Sequence, residues 1–406
     1  MTQAHINKYF YIIFLFTLTF GVLLYDTIGF DYTDECCALF LFVLFVSYLF
    51  TTKDWAINKA FLTTIGIFLF YLCYSLAIGS NTKAAIASDL LIQIKPYLAF
   101  FCVYSLLPHL DAGRKKLLQD IALVYWGLLC LVGIGDIFIP RLIFEVVGHP
   151  AYYAASVIAC SFCYFICSRF TRLDRLTFLV LLSIGILSGR SKFYGFYAFA
   201  CFAILFLPNL KQFKWNLRNV LILACMLATI IFVAWEKVYF YFYQTVTDEV
   251  EKDMIARYIL YVTTPDILRD YFPLGSGFAT YATYSSGLYY SHIYADYGID
   301  GVWGMTKEYY NFIADTYYPS LAQFGVLGIL LYATFWVYIL RKAYLFYRAR
   351  GNIHYFTVVV MLVGFFGIEG TTDSTFTTHR GFFLLMMLGL VLGCMKHEQN
   401  EDTANQ

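Results

Sequence analysis

Long apolar runs recur along this chain and constrain its fold more than any other feature. A bilayer core about 30 Å thick is crossed by a helix of about 20 apolar residues. Of the 406 residues, 60% are hydrophobic and only 14% are charged, whereas about 25% are charged in ordinary soluble proteins. A soluble domain of this length could not bury so much apolar surface, so the sequence predicts a membrane protein.

The runs predict an all-α, polytopic transmembrane helical bundle of about twelve spans. Backbone groups in lipid must be satisfied internally, and the runs lack the alternation of barrel strands. The predicted spans are 9–30, 36–50, 60–79, 86–108, 117–139, 152–169, 175–188, 192–208, 219–235, 319–340, 353–369 and 379–395. This divides the chain into nine spans (1–235), a long loop (236–318), three spans (319–395) and a disordered cytoplasmic tail (396–406).

The distribution of charge predicts the orientation. With a cytoplasmic N-terminus, the inner segments hold seventeen of the 28 lysines and arginines, which is the positive-inside pattern. Both termini are therefore expected in the cytoplasm and the long loop on the opposite side. A net charge of +1 lacks the basic bias of nucleic-acid binders, so no nucleic-acid partner is expected.

The long loop 236–318 is the first place to look for chemistry. It contains sixteen tyrosines, eleven acidic residues and five basic residues. Loops longer than about 15 residues are usually functional or disordered, and disordered segments contain few aromatic residues. The loop should therefore fold and be partly helical. Its tyrosines, with Tyr281 and Tyr317 as candidates, could contact sugar rings or anchor the loop at the membrane interface.

Several lysines and arginines lie at unfavourable places. Some are inside a predicted span, where a charge is costly, and others are on the predicted outer side, where the positive-inside pattern disfavours them. Lys95 lies in the middle of a span, where it could pair with Asp89 or Asp136 or contact an anionic headgroup. Arg190 and Lys192 lie in Ser-Gly-Arg-Ser-Lys (188–192), between two apolar runs on the outer side. They could anchor helix ends, or they could form a phosphate site, since the guanidinium fork matches phosphate oxygens.

Further candidates lie on the outer side. Arg257 could be a solvated charge on an acidic helix or a second phosphate ligand, and Arg380 is another outer cation. Gly275 and Gly277 form a Pro-x-Gly-x-Gly turn, which could bring backbone amides close to an anion or simply make a tight turn. Asp315, just before a predicted span, could be a general base or a helix-terminal charge.

His292 is a reserve candidate for the general base, although a lone histidine is more often structural. The predicted inner loops are short and basic, and the sequence contains no P-loop and no Asp-x-Asp pair. We therefore expect neither a cytosolic nucleotide donor nor a metal ion or other cofactor.

Three segments, in this order, resemble one family. They are Ser-Gly-Arg-Ser (188–191), an arginine in a long loop followed by Pro-Leu-Gly-Ser-Gly (273–277), and Tyr-x-x-x-x-x-Phe-Gly-Val-Leu-Gly (318–328). The pattern is similar to the O-antigen ligase/polymerase superfamily of bacterial inner membranes, which uses undecaprenyl-diphosphate-linked glycans. The resemblance covers roughly residues 140–340.

The resemblance implies that Arg190 and Arg257 grip the lipid diphosphate of a glycan donor while a base activates an acceptor sugar hydroxyl. In the ligases a histidine usually occupies the position of Asp315, and this departure favours a polymerase of O-antigen, capsule or exopolysaccharide over a ligase that acts on lipid A–core. The resemblance also implies the bilayer and a chain-length regulator as partners. A twelve-helix flippase of lipid-linked glycans, or another transporter, is the alternative from a different class.

Overall fold

The computed structural model describes residues 2–28, 32–49, 55–208 and 252–404, and within these ranges the chain is helical and contains no strand. The longer helices are α1 (Gln3–Phe16), α2 (Thr33–Leu49), α3 (Trp55–Ile78), α4 (Lys83–Leu106), α5 (Ala112–Phe138), α6 (Pro150–Cys167), α7 (Arg172–Ser183), α8 (Ser191–Phe206), α9 (Lys252–Asp270), α10 (Gly325–Arg350), α11 (Ile353–Glu369) and α12 (His379–Ala404). A π-helical stretch, Thr17–Leu23, extends α1, and a 3-10 turn, Ile184–Ser188, extends α7.

Seven helical segments of the described residues are long and apolar enough to cross a bilayer, so the chain is a multi-pass membrane protein. They are Gln3–Leu23, Lys59–Ile78, Lys83–Leu106, Ala112–Phe138, Pro150–Cys167, Tyr317–Arg350 and His379–Gln399. Shorter apolar helices, Ser191–Phe206 and Ile353–Glu369, accompany them. Every predicted span inside the described ranges coincides with a helix, which confirms the all-α prediction. The predicted span 219–235 lies outside the described residues.

Helix α12 forms the centre of the bundle. Its residues 379–393 are all buried, and Phe383 contacts Phe14 of α1 with ring centroids 4.8 Å apart. By contrast, α5 leaves Leu131 and Phe138 exposed by 70% and 79%, as expected of a helix that faces lipid on one side.

Residues 252–316, which we call the capping segment, cover one end of this bundle. Besides α9 they contain two short helices, Tyr284–Leu288 and Ile293–Asp296. They have an apolar core of their own, which includes Leu260, Ile267 and Tyr294. The described part of the predicted long loop is therefore folded and partly helical.

The capping segment is fixed to the bundle by backbone hydrogen bonds. The amide of Ala279 donates to the Asp89 carboxylate (2.8 Å), and its carbonyl accepts from the Asn81 side chain (2.7 Å). The amide of Gly277 donates to the Gln323 carbonyl (2.8 Å). Gly275, with φ +82°, lies against the backbone of residues 322–325, where a Cβ atom would collide. This close approach brings the capping segment onto the start of α10.

The predicted disordered tail is wrong for residues 396–404, because α12 continues to Ala404. The Arg350 guanidinium donates to the carbonyls of Glu398 (2.9 Å) and Gln399 (3.1 Å), and the Asn352 amide donates to the Glu398 carboxylate (3.1 Å). Contacts from the turn between α10 and α11 therefore stabilise a polar stretch that composition alone assigns to a disordered tail.

We expect Gly275→Ala to destabilise the fold far more than Gly298→Ala. Both glycines have positive φ (+82° and +65°), but a Cβ at Gly298 meets no atom within 4 Å. The backbone conformation alone should cost about 1 kcal/mol at either position. The collision at Gly275 should bring the total there to about 3–5 kcal/mol. Thermal unfolding in detergent measures the difference, and equal losses would contradict close packing at Gly275.

Candidate functional site

Four chain segments meet where the capping segment covers the bundle: the start of α8, helix α9, residues 314–318, and the loop between α11 and α12. The Tyr261 hydroxyl on α9 donates to the Thr371 carbonyl (2.7 Å), and the Tyr317 amide donates to the Gly370 carbonyl (3.2 Å). These contacts fix the loop after α11 against α9 and against the chain that directly follows the capping segment.

A polar cavity lies between these segments, and we call it the cationic cavity. It is lined by Gly189, Arg190, Ser191, Lys192, Arg257 and Thr372, and its volume is about 120 Å³. A single water needs roughly 10–15 Å³ on the same measure, so the cavity has room for a group as large as a phosphate. Arginines that are 67 residues apart in sequence therefore line one cavity.

Arg190 reaches the cavity from a sharp turn. Gly189, with φ +65°, ends the 3-10 turn after α7, and the Arg190 amide donates to the Ser188 hydroxyl (3.3 Å) before α8 begins. The Arg190 side chain is half-buried, and within the described ranges no carboxylate lies within 4 Å of its guanidinium. Since the first amides of α8 also carry partial positive charge, this corner of the cavity favours an anion.

Arg257, which also lines the cavity, contacts a carboxylate. Its Nη2 atom lies 2.5 Å from Oδ2 of Asp315, and the two side chains are 16% and 33% exposed. Burial raises the pKa of Asp315, and the Arg257 guanidinium offsets part of that rise. Asp315 thus combines a raised pKa with a place beside the cavity, as a general base requires.

Lys192 contacts two acidic residues, one at the end of α11 and one in the loop that follows, and it shares the second with Arg380. The Lys192 ammonium lies 2.8 Å from Glu369 and 3.3 Å from Asp373, and Arg380 lies 3.4 Å from Asp373. Burial opposes ionisation of Asp373, but Arg380 and Lys192 lower its pKa well below the usual range. Arg380 also lies over the Tyr152 ring, 5.1 Å from its centroid. Both cations are therefore neutralised inside the protein.

Other predicted site residues lie elsewhere. Lys95 contacts Asp34 and, at 2.6 Å, Glu35 on α2, so its carboxylate partners are neither Asp89 nor Asp136. Asp34 and Glu35 lie in the first turn of α2, which packs against α4. His292 is exposed, with Nε2 3.8 Å from Asp296, and does not line the cationic cavity.

The glycines and tyrosines also have other roles. The amides of Gly275 and Gly277 donate to the carbonyls of Tyr271 and Gln323, so they are not available to an anion. Tyr281 is fully buried and donates to the Leu260 carbonyl (2.6 Å), which excludes it from contact with a sugar in this conformation. Tyr317 lines a different cavity of about 270 Å³, largely apolar, between α3, α4 and α10.

Three residues of the site escaped the sequence analysis: Glu369, Thr372 and Asp373. The sequence did contain a signal for these residues. Glu-Gly-Thr-Thr-Asp (369–373) separates two apolar runs on the predicted outer side, where Arg380 and Lys192 were also expected. Buried cations need anionic partners, and these carboxylates were the nearest available on that side.

Comparison with models of known protein families gave no match, and no curated protein matched the chain significantly. The chemical role of the site is therefore inferred from its geometry alone. Two guanidinium groups and a helix N-terminus face one cavity, and a carboxylate lies beside one of the guanidinium groups. This arrangement can bind an anionic group and place a proton acceptor next to it.

We expect Lys192→Met to destabilise the protein by about 3 kcal/mol, because it leaves Glu369 and Asp373 buried with one cation fewer. Lys83→Met is the matched control, since Lys83 is exposed at the start of α4, and its loss should be within about 0.5 kcal/mol. Thermal unfolding in detergent checks both variants. Adding Glu369→Gln to Lys192→Met should recover part of the loss; no recovery would argue against the ion pair.

Proposed function

We propose that the chain is a membrane glycosyltransferase of the O-antigen ligase/polymerase superfamily. In this proposal it is a polysaccharide polymerase, and it transfers an undecaprenyl-diphosphate-linked glycan to an acceptor sugar hydroxyl at the periplasmic face of a bacterial inner membrane. It would have about twelve spans and cytoplasmic termini, as the positive-inside pattern predicts. The observation that carries the proposal is that Arg190 and Arg257 line one cavity.

In the proposed reaction, the acceptor oxygen bonds to the anomeric carbon of the donor glycan. The bond between that carbon and the diphosphate oxygen breaks, and its electron pair stays on the diphosphate. Arg190 and Arg257 stabilise this developing charge as preorganised hydrogen-bond donors. Asp315 takes the hydroxyl proton. His292 is not needed as a reserve base, because its exposed side chain lies beside Asp296, whereas Asp315 contacts an arginine that lines the cavity.

The apolar cavity between α3, α4 and α10 offers a place for the polyprenyl chain of the donor. It is lined by apolar and aromatic side chains such as Phe68, Phe101 and Leu331. Tyr317 lines this cavity and also contacts Gly370, two residues before Thr372 of the cationic cavity. A molecule with an anionic head and an apolar chain could therefore occupy both cavities.

A polymerase is preferred to a lipid A–core ligase because Asp315 stands where ligases usually have histidine. A flippase of lipid-linked glycans is the second candidate. It is favoured by the Lys95–Asp34–Glu35 cluster among the helices, since charged residues at membrane depth often mark transport pathways. The cationic cavity, at one end of the bundle, is the feature that a flippase explains less well.

We expect Arg190→Ala and Arg257→Ala each to lower polymer formation about 100-fold or more, as the loss of one oxyanion donor typically does. Arg269→Ala is the matched control: Arg269 lies in the same segment and its side chain is 71% exposed. Surface glycans from cells that carry each variant would be separated on gels, with protein levels measured in membranes.

The pattern of loss distinguishes the candidates. A polymerase defect leaves single repeats on the lipid anchor, and a ligase defect leaves no attached glycan. A flippase defect leaves lipid-linked repeats on the cytoplasmic face. Normal ladders from both arginine variants, at normal protein levels, would end the glycosyltransferase proposal.

A further inference from the structure

The two arginines of the cationic cavity differ in their surroundings. Within the described residues, Arg190 has no carboxylate within 4 Å, so its guanidinium can accept an anion without displacing one. Arg257 contacts Asp315 at 2.5 Å. An anionic ligand that reaches both arginines must compete with Asp315 for Arg257. The residue proposed as the base is therefore held by the residue proposed to bind the donor.

We propose, on the basis of the function above, that the donor diphosphate displaces Asp315 from Arg257 and thereby frees the carboxylate to accept the acceptor's proton. A carboxylate held by a guanidinium is stabilised in its ionised form and is a poor proton acceptor. A diphosphate carries more negative charge than one carboxylate and matches the guanidinium fork. It is therefore the stronger competitor for Arg257.

Displacement changes the basicity of Asp315 in the direction that catalysis needs. Arg257 offsets part of the rise in pKa that burial causes at Asp315. When the diphosphate takes over Arg257, the carboxylate loses its cation and gains an anionic neighbour. Both changes favour its protonated form, so the released Asp315 is a stronger base than the paired one.

The local structure allows this release. Asp315 lies in an irregular stretch whose ends are held, since the Ala314 carbonyl accepts from the Ser374 hydroxyl and the Tyr317 amide donates to Gly370. The backbone can stay in place while the short side chain rotates to another staggered conformation. The consequence is an order of events in which the base becomes active only after the donor is seated.

The first test measures the binding of undecaprenyl diphosphate, without sugar, to the purified full-length protein in nanodiscs. Asp315→Asn removes the competing charge, so it should bind the lipid about tenfold more tightly than the wild type while losing transfer activity. Asp270→Asn is the matched control, because Asp270 lies in the same segment and pairs with the exposed Arg269 at 3.0 Å. Its affinity should equal that of the wild type.

A second test uses the wild-type protein and does not depend on how the variant folds. A water-soluble carbodiimide labels carboxyl groups, and mass spectrometry compares Asp315 with Asp270. Addition of undecaprenyl diphosphate should increase the labelling of Asp315 severalfold and leave that of Asp270 unchanged. Unchanged or lower labelling of Asp315 would overturn the release.

The outcomes separate this inference from the proposed function. If Arg190→Ala loses undecaprenyl diphosphate binding but Asp315→Asn binds no more tightly than the wild type, the release is wrong and the diphosphate site stands. If Arg190→Ala binds the lipid as well as the wild type does, the proposed function itself fails.

Discussion

Neutralisation of charge at one end of an apolar bundle is the interaction on which the site depends. Cations that are mostly removed from water are stable only beside anions that offset the cost of desolvation. In the described part of the chain, the cluster consists of Arg190, Lys192, Arg257 and Arg380 with Asp315, Glu369 and Asp373, and three of these four cations contact at least one of the carboxylates. The half-buried Arg190 is the residue without a carboxylate partner in the described structure.

The position of Arg190 sets it apart from the ion pairs of the cluster. Lys192, Glu369, Asp373 and Arg380 connect α8 to the α11–α12 loop and would suffice to fix that loop. Arg190 adds a charge that this network does not need, and it lies at the N-terminus of α8, where the helix dipole makes a cation unfavourable. A bound anion would offset the unfavourable interaction of this cation with the helix dipole.

The helices were predictable from sequence, whereas most of the partners were not. An apolar run in lipid must be a helix, whatever surrounds it, so the described spans follow from composition alone. The partner of a buried charge depends on which helices become neighbours. Lys192 and Glu369 are 177 residues apart, and Lys95 pairs with α2 because of helix packing that no local pattern encodes.

The same limit explains the glycines and tyrosines. The turn at Gly275 and Gly277 was expected to bring backbone amides close to an anion or simply to make a tight turn, and the group that lies against it is the chain before α10. Tyr281 was chosen for its chemistry, yet its position in the core of the capping segment leaves its ring no free face. Residue type therefore indicates what a side chain can contact, and tertiary packing decides what it does contact.

The two cavities are a further product of packing. One is polar and the other largely apolar, and Tyr317 of the apolar cavity contacts Gly370, two residues before Thr372 of the polar one. Under the proposed function, the anionic head of an amphiphilic donor would occupy the polar cavity and its apolar chain the other, whereas a small soluble anion would use only the polar one.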